Sequence, residues 1–222
     1  MSTERPRLHG YWRSTAAYRI RIALNLKKVR YENVPVDLVR DGGVQHTDAF
    51  RALNPAGLVP ALEIDGHVLT QSLAICEYLE ETRPEPPLLP HLASERVLAR
   101  TIALDVACEI HPLNNLRVQQ YLKGRLNADD AAAREWMHHW MAAGFGAIET
   151  RLEAWGRGGD TCLGGAPGVA DIFIVGQAYN ADRFGFSLQP YPRVERVVRA
   201  CGALPAFADA VPEAQPDAPA ND

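Results

Sequence analysis

Two hydroxyls and an arginine sit side by side in Tyr11 to Lys27, where Arg13-Ser14-Thr15 leads from a short apolar run into a helical pattern. Ser14 or Thr15 is a good N-cap, because a short side-chain oxygen can accept from one of the unpaired amides of the first turn. Ala16, Ala17, Ile20, Ala23 and Leu24 recur at three- and four-residue spacing, and Arg19, Arg21, Asn25 and Lys27 take the other positions, which predicts one buried stripe and a polar remainder. The corner therefore puts a hydroxyl pair at the positive end of a helix dipole. Such a place favours an anion, including a thiolate. Two readings are open on these residues alone: Ser14 and Thr15 only cap the helix, or one of them also donates to a bound sulfur.

Other chemistry-bearing residues are fewer. The four cysteines, at 76, 108, 162 and 201, are too far apart for CxxC spacing. Cys76 and Cys108 lie in apolar, helix-like stretches and are expected to be buried free thiols. His138 and His139 are adjacent and so cannot form the i, i+4 pair of a helical zinc site; no metal is expected. The glycine-rich stretch 156–168 has neither GxxxxGK[ST] nor GxGxxG after a strand and is read as a helix connector.

The elements that must position the corner follow in order. Arg7 to Trp12 is a candidate strand, and Tyr31 to Leu38, carrying Pro35, is an edge strand or strand end. Asp41-Gly42-Gly43 breaks the chain before a short helix, Thr47 to Leu53. Leu58 to Ile64 and His67 to Thr70 flank Asp65-Gly66 as a hairpin. Gln71-Ser72 opens a helix to Thr82 with Ser72 as the expected cap. Arg83 to Pro90 holds four prolines and marks a domain boundary. From Ser94 the pattern is helical, with a kink or delayed restart expected at Pro112. The domains are expected at 1–83 and 93–211, joined by a linker over 84–92, with a disordered tail over 212–222. A chain of 222 residues with 47% hydrophobic content can bury a core. Its net charge of −4 argues against non-specific binding to nucleic acid or acidic lipid. MSTERPRLHG carries no apolar signal region and no run approaches a membrane span, so a soluble cytoplasmic protein is expected.

The order βαβ–α–ββα, a proline linker and an all-helical half resembles the cytosolic glutathione transferase superfamily. Leu58-Val59-Pro60-Ala61-Leu62 resembles its cis-proline element and Gln71-Ser72 its γ-glutamyl site. Arg13-Ser14-Thr15 with Tyr18 to Lys27, Asp41-Gly42-Gly43, Ala52 to Pro55, Gln71 to Ile75, and Arg183-Phe184 with Pro190-Tyr191-Pro192 resemble the zeta class, the family of maleylacetoacetate and maleylpyruvate isomerases. The resemblance implies an α/β plus all-α fold: an N-terminal thioredoxin-like βαβαββα domain and a C-terminal helical bundle. It also implies glutathione as cofactor, a homodimer, and a small dicarboxylate substrate whose cis double bond is converted to trans by reversible thiolate addition.

By that resemblance Ser14, with Thr15 and Arg13, is catalytic, and Ser14 donates to the glutathione sulfur. Gln71 and Ser72 hold the γ-glutamyl end, Val59 and Pro60 present backbone to the peptide, and Gln45 reaches the glycyl side. Asp105 approaches the partner subunit's glutathione, and His111 is placed on the glutathione side as well. Arg13, Asn115, Arg117 and Arg183 are the expected substrate-binding set, with 111 and 115 taken to share a helical surface. Blander readings stay open, in which His111 caps the break at Pro112 and Arg183 pairs with a surface carboxylate. Two departures from the family pattern matter. Ala16 stands where the zeta pattern has cysteine, so chemistry needing a protein thiol there is disfavoured. Gly168 stands where a capping box has Ser or Thr before Asp171, a change costing only a few tenths of a kcal/mol. The leading expectation is maleylacetoacetate isomerase; maleylpyruvate isomerase, a general transferase acting on α-haloacids, and a non-catalytic ligand-binding protein are the alternatives.

Overall fold

A computed structural model describes residues 4–155 and 159–219. By its internal contacts the chain divides into two units, Met1–Leu88 with Leu204–Asp222, and Leu89–Ala203.

The first unit is built on a four-stranded sheet in the order β2-β1-β3-β4, from β1 (Arg7–Gly10), β2 (Glu32–Pro35), β3 (Ala61–Ile64) and β4 (His67–Thr70). β1 pairs parallel with β2, placing Pro35 on the edge strand, where a missing donor is tolerated. β1 and β3 run antiparallel, as do β3 and β4. The β3–β4 turn puts Asp65 at φ 53° and Gly66 at φ 79°, the two left-handed residues of a tight hairpin. Between β1 and β2 runs α1 (Thr15–Leu26). After β2 come two short turns, α2 (Asp48–Leu53) capped by Thr47, the hairpin, and α3 (Ser72–Thr82). Gly10 sits where an added Cβ would lie 3.1 Å from the Ala17 methyl, so its lack of a side chain lets α1 lie close on β1.

The polar remainder expected on α1 is not solvated. Arg19 and Arg21 are each 1% exposed and Lys27 is 5% exposed. Arg19 and Lys27 find partners on α3 and the proline segment, and Arg21 finds one on the segment from Leu204, which returns to this unit as α9 (Pro205–Ala208) and packs on α1. Arg21 donates from Nε to Ala210 O (2.9 Å) and from Nη2 to Trp12 O (3.0 Å), so its guanidinium is buried with acceptors. Asn25 donates to Ala206 O at 2.9 Å. Lys27 Nζ meets Glu80 Oε2 at 2.7 Å and the carbonyls of Arg83 and Pro84, while Glu80 accepts from Leu88 N–H, which ties α1 and α3 to the proline segment.

The expected disordered tail is also different over its described part. Pro212–Ala214 form a 3₁₀ turn, and Gln215 is buried with its amide donating to Asp209 O and Val211 O. Asp217 accepts from Trp12 N–H (3.0 Å) and from Asn33 (3.2 Å). Composition without apolar periodicity predicts disorder only if the chain must make its own core. This stretch satisfies polar groups of another element instead. Residues 220–222 lie outside the described set.

The second unit is helical: α4 (Ala93–Leu104), α5 (Leu116–Arg125), α6 (Asp130–Trp155), α7 (Val169–Arg183) and α8 (Pro192–Gly202). α7 is buried on nearly all sides, against α4 and α8. Gly144 on α6 faces Ile110, which any Cβ there would strike. Asp171 accepts from the Gly168 N–H and the Cys162 N–H, both at 2.8 Å; glycine supplies no side chain, so only the carboxylate half of the capping box forms, and α7 starts at Val169 nonetheless. The 156–168 connector joins α6 to α7, its first three residues lying outside the described set. Cys76 is buried as expected, but Cys108 is exposed, because the helix face it occupies points outward. No helix among the described residues is long and apolar enough to cross a membrane.

Candidate functional site

Ser14 is the N-cap of α1. Its backbone is extended (φ −70°, ψ 119°) and its Oγ accepts from Ala17 N–H at 3.2 Å. That bond uses a lone pair and leaves the hydroxyl hydrogen available for a further acceptor. Thr15 is the first helical residue and is buried, which leaves Ser14 as the more accessible hydroxyl. Trp12, just before the corner, is held from both sides by Arg21 and Asp217, so the chain entering Arg13-Ser14 is fixed by the C-terminal segment. Arg13 stacks on the Trp12 ring with Cζ 4.1 Å from its centroid, a cation held beside Ser14.

The other predicted residues of this unit show three features of a ligand cradle. Val59-Pro60 is a cis peptide, and the β3 ladder begins only at Ala61, so the Val59 main chain lies outside the sheet pairing. Gln71, not Ser72, occupies the N-cap position of α3, at φ 67° and ψ 114° and without a side-chain capping bond. A glutamine held in the left-handed region costs about 1–3 kcal/mol, and such strain collects at binding sites. Ser72 becomes the first residue of the helix, 7% exposed, and its hydroxyl accepts from Arg19 Nη1 at 3.4 Å.

Gln45 is 7% exposed; its Nε2 donates to Leu38 O (3.2 Å), and its Oε1 is buried with no hydrogen-bond partner among the described residues. Gly43, at φ 94°, leaves room for that side chain, since a Cβ at 43 would overlap the Gln45 amide. An orphaned buried acceptor, a strained glutamine and a cis peptide outside the sheet pairing fit a bound peptide with charged ends.

The predicted residues of the second unit are placed less uniformly. Asp105 forms an ion pair with Arg151, Nε to Oδ2 at 2.8 Å. Residues 111 and 115 do not share a helical surface. A π-helical turn over Asp105–Ile110 ends at His111, the chain turns, and Asn115 is extended (φ −67°, ψ 149°) as the N-cap of α5, its side chain accepting from Arg117 N–H at 3.1 Å. Pro112 accounts for the break, since it cannot donate into a continuing helix. Arg117 and Arg183 are both exposed, with Arg183 stacked on Phe184 at 5.0 Å.

Sequence reasoning missed Arg19 as the group that holds Ser72. Burial pushes its pKa down, with the neighbouring Cys76 thiol acting the other way. A signal existed: residues 19 and 21 are two apart and project about 200° from each other, so they cannot share one solvated face. Also missed was Asn114, 4% exposed, whose amide oxygen and nitrogen have no hydrogen-bond partner among the described residues.

Comparison with known proteins accords with this geometry. Residues 8–87 match the family model described as the N-terminal domain of glutathione S-transferase. The chain is 48% identical over 212 residues to a probable maleylacetoacetate isomerase of Vibrio cholerae, covering 95% of this chain and 97% of that one. Among solved structures, a holo maleylpyruvate isomerase, a bacterial zeta-class glutathione S-transferase, superposes with a TM-score of 0.92 at 46% identity, covering 96% of this chain and all of that one. A maleylacetoacetate isomerase from Methylobacterium extorquens AM1, solved with malonate and glutathione bound, gives 0.91 at 43% identity, with 96% and 100% covered. Near-complete coverage at this identity, together with a capped serine corner, a cis Val59-Pro60 and a strained Gln71, means that the chain belongs to the zeta-class glutathione transferase family.

Proposed function

We propose that this chain is a glutathione-dependent cis–trans isomerase converting maleylacetoacetate to fumarylacetoacetate in tyrosine breakdown. The observation that carries the reading is the Ser14 hydroxyl, which caps α1 while keeping its hydrogen free at the positive end of the helix. When bound, glutathione supplies the sulfur nucleophile whose reversible addition turns the conjugated double bond into a single bond and lets it rotate. Ser14 stabilises the thiolate by donating its hydrogen, and the unpaired amides of the first turn add their partial positive charge. A free thiol has a pKa near ~8.5 and is mostly protonated at neutral pH, so a donor at this position raises the reactive fraction. The corner supplies no thiol of its own, because residue 16 is alanine.

Gln71 and Ser72 hold the γ-glutamyl end, with Arg19 fixing the Ser72 hydroxyl. The Val59 main chain pairs with the peptide beside Pro60, and the buried Gln45 oxygen takes a donor from the glycyl side. Arg13 offsets charge developing on the substrate's carbonyl oxygen, and Arg117 and Arg183 take its carboxylates, for which planar guanidinium forks are well matched. Asn115, the N-cap of α5, is proposed to contact the substrate beside Arg117. Asp105, ion-paired with Arg151, is proposed to approach the partner subunit's glutathione, and His111 to lie on the glutathione side. The malonate and glutathione bound in the relative support the pairing of a small diacid with this cofactor.

Maleylpyruvate isomerisation is the second reading, favoured by the likeness to the holo enzyme of that name. Comparing kcat/KM for the two maleyl diacids, with and without glutathione, decides between them. Turnover of either without glutathione would refute the shared mechanism. Activity on α-haloacids would be a side reaction of the same thiolate. A protein that fails to bind glutathione in a calorimetric titration would be a scaffold instead. The chain is further proposed to act in the cytoplasm, where its four unpaired cysteines would be stable. It is also proposed to form a homodimer. Val97, Leu104 and Cys108, at heptad-like spacing along one exposed face of α4 and its continuation, support this.

A further inference from the structure

The first unit carries a groove of about 670 Å³ formed by the chain after α1 and by the returning segment from Leu204. Arg5, Lys28, Arg30 and Tyr31 line it together with Ala206 and Asp209. Three cations thus face one carboxylate. Unlike Arg7, Lys27 and Arg83, whose charges are matched by Glu63, Glu80 and Asp65, the three groove cations form no ion pair among the described residues.

Lys28 makes the groove more than a solvated surface. It sits at φ 54°, in the left-handed conformation that ends α1, where Lys28 N–H donates to Asn25 O and Val29 N–H donates to Leu24 O. Glycine is the usual residue there, since a Cβ costs roughly 1–2 kcal/mol. Five non-glycine residues adopt positive φ among the described residues; three are Asp or Asn, whose short polar side chains suit it. The other two are Gln71, in the candidate site, and Lys28. The same two amide bonds quench carbonyls at the negative end of α1, which reduces their repulsion of an anion.

We propose that this groove is a binding site for a small polyanion carrying at least two negative charges, separate from the residues assigned to isomerisation. Arg5 and Arg30 supply forked donors and Lys28 a point charge at the position where its backbone is strained. Phosphate esters and polycarboxylates share this chemistry.

The test is calorimetric titration of the full-length chain at low salt with inorganic pyrophosphate and, separately, with citrate. The wild type is expected to bind at least one probe, and whichever binds tighter identifies the ligand's source. Lys28→Gly and Arg30→Gln should each weaken that binding about fivefold to tenfold, as expected for a charged donor in a solvated groove, with isomerase turnover unchanged. Lys28→Gly should also hold or raise the melting temperature, because glycine relieves the strained conformation; this separates lost binding from lost fold, and Arg30→Gln carries the test independently. Binding that persists in both variants but disappears in Arg117→Ala would place the anion in the candidate active site. That result, or the absence of binding by the wild type, overturns the proposal.

Discussion

Replacing Ser14 separates the two jobs that its hydroxyl performs. As a cap, the 3.2 Å bond from Ala17 N–H contributes about 1 kcal/mol, most of which glycine retains and alanine loses. A protein of ordinary stability, about 5–15 kcal/mol, stays more than ~99% folded after either change, so cap loss alone leaves turnover intact. As a donor to a thiolate, the same hydroxyl contributes about 1.5–3 kcal/mol. At about 1.4 kcal/mol per decade, Ser14→Gly should lower kcat/KM roughly 10- to 150-fold and raise the bound thiol's pKa by about one to two units. The assay is isomerisation followed between pH 6 and 9.5, read beside thiolate absorbance of the bound cofactor, with thermal unfolding as the control. The deficit should be largest near neutrality and narrow as pH rises, because alkali ionises the thiol without help. A Ser14→Gly enzyme within about threefold of wild type at every pH would remove Ser14 from the chemistry and leave it a cap.

Other consequences are as direct. Lys27→Met leaves the Glu80 carboxylate buried without its counter-charge, and urea unfolding should show a loss of about 3–5 kcal/mol, or roughly 6–20 °C in Tm. Adding Glu80→Leu to Lys27→Met should recover part of that loss. Arg117→Ala should raise the KM for the diacid about tenfold with little change in kcat, and steady-state kinetics with glutathione saturating would expose an unchanged KM. Asp65 is held below the usual carboxylate range, first by the hydrogen bond from Arg83 and then by Tyr78. Its folded pKa lies below its unfolded one, so the stability it contributes is present above about pH 4 and lost as pH falls further. Asp65→Asn should flatten that part of an acid-unfolding curve.

Local rules made the corner at Ser14, the Asp65-Gly66 hairpin and the Pro35 edge strand legible, because each depends on residues within a few positions. They failed where distant chain supplies the partner. Arg19, Arg21 and Lys27 were assigned to a polar face since nothing nearby could satisfy them; their acceptors are Ser72, Ala210 and Glu80, more than fifty residues away. Gln71 took the cap position from Ser72 for a similar reason, since Arg19 already engages the Ser72 hydroxyl. His111 and Asn115 looked like helical neighbours only while the helix was assumed to run through Pro112. The strained Gln71 backbone and the orphaned Gln45 oxygen leave no trace in composition or spacing, being properties of the assembled cradle.

The clamp on Trp12 also bears on synthesis. Trp12 N–H waits for Asp217, 205 residues further along the chain, and Arg21 waits for Ala210, 189 residues further along. The sheet and α1 can form once the first 88 residues have emerged, but the corner preceding Ser14 cannot be locked until the segment carrying Ala210 and Asp217 has emerged. A fragment ending at Leu88 would expose the Arg21 guanidinium that the returning segment buries, and activity should therefore appear only once that segment has emerged.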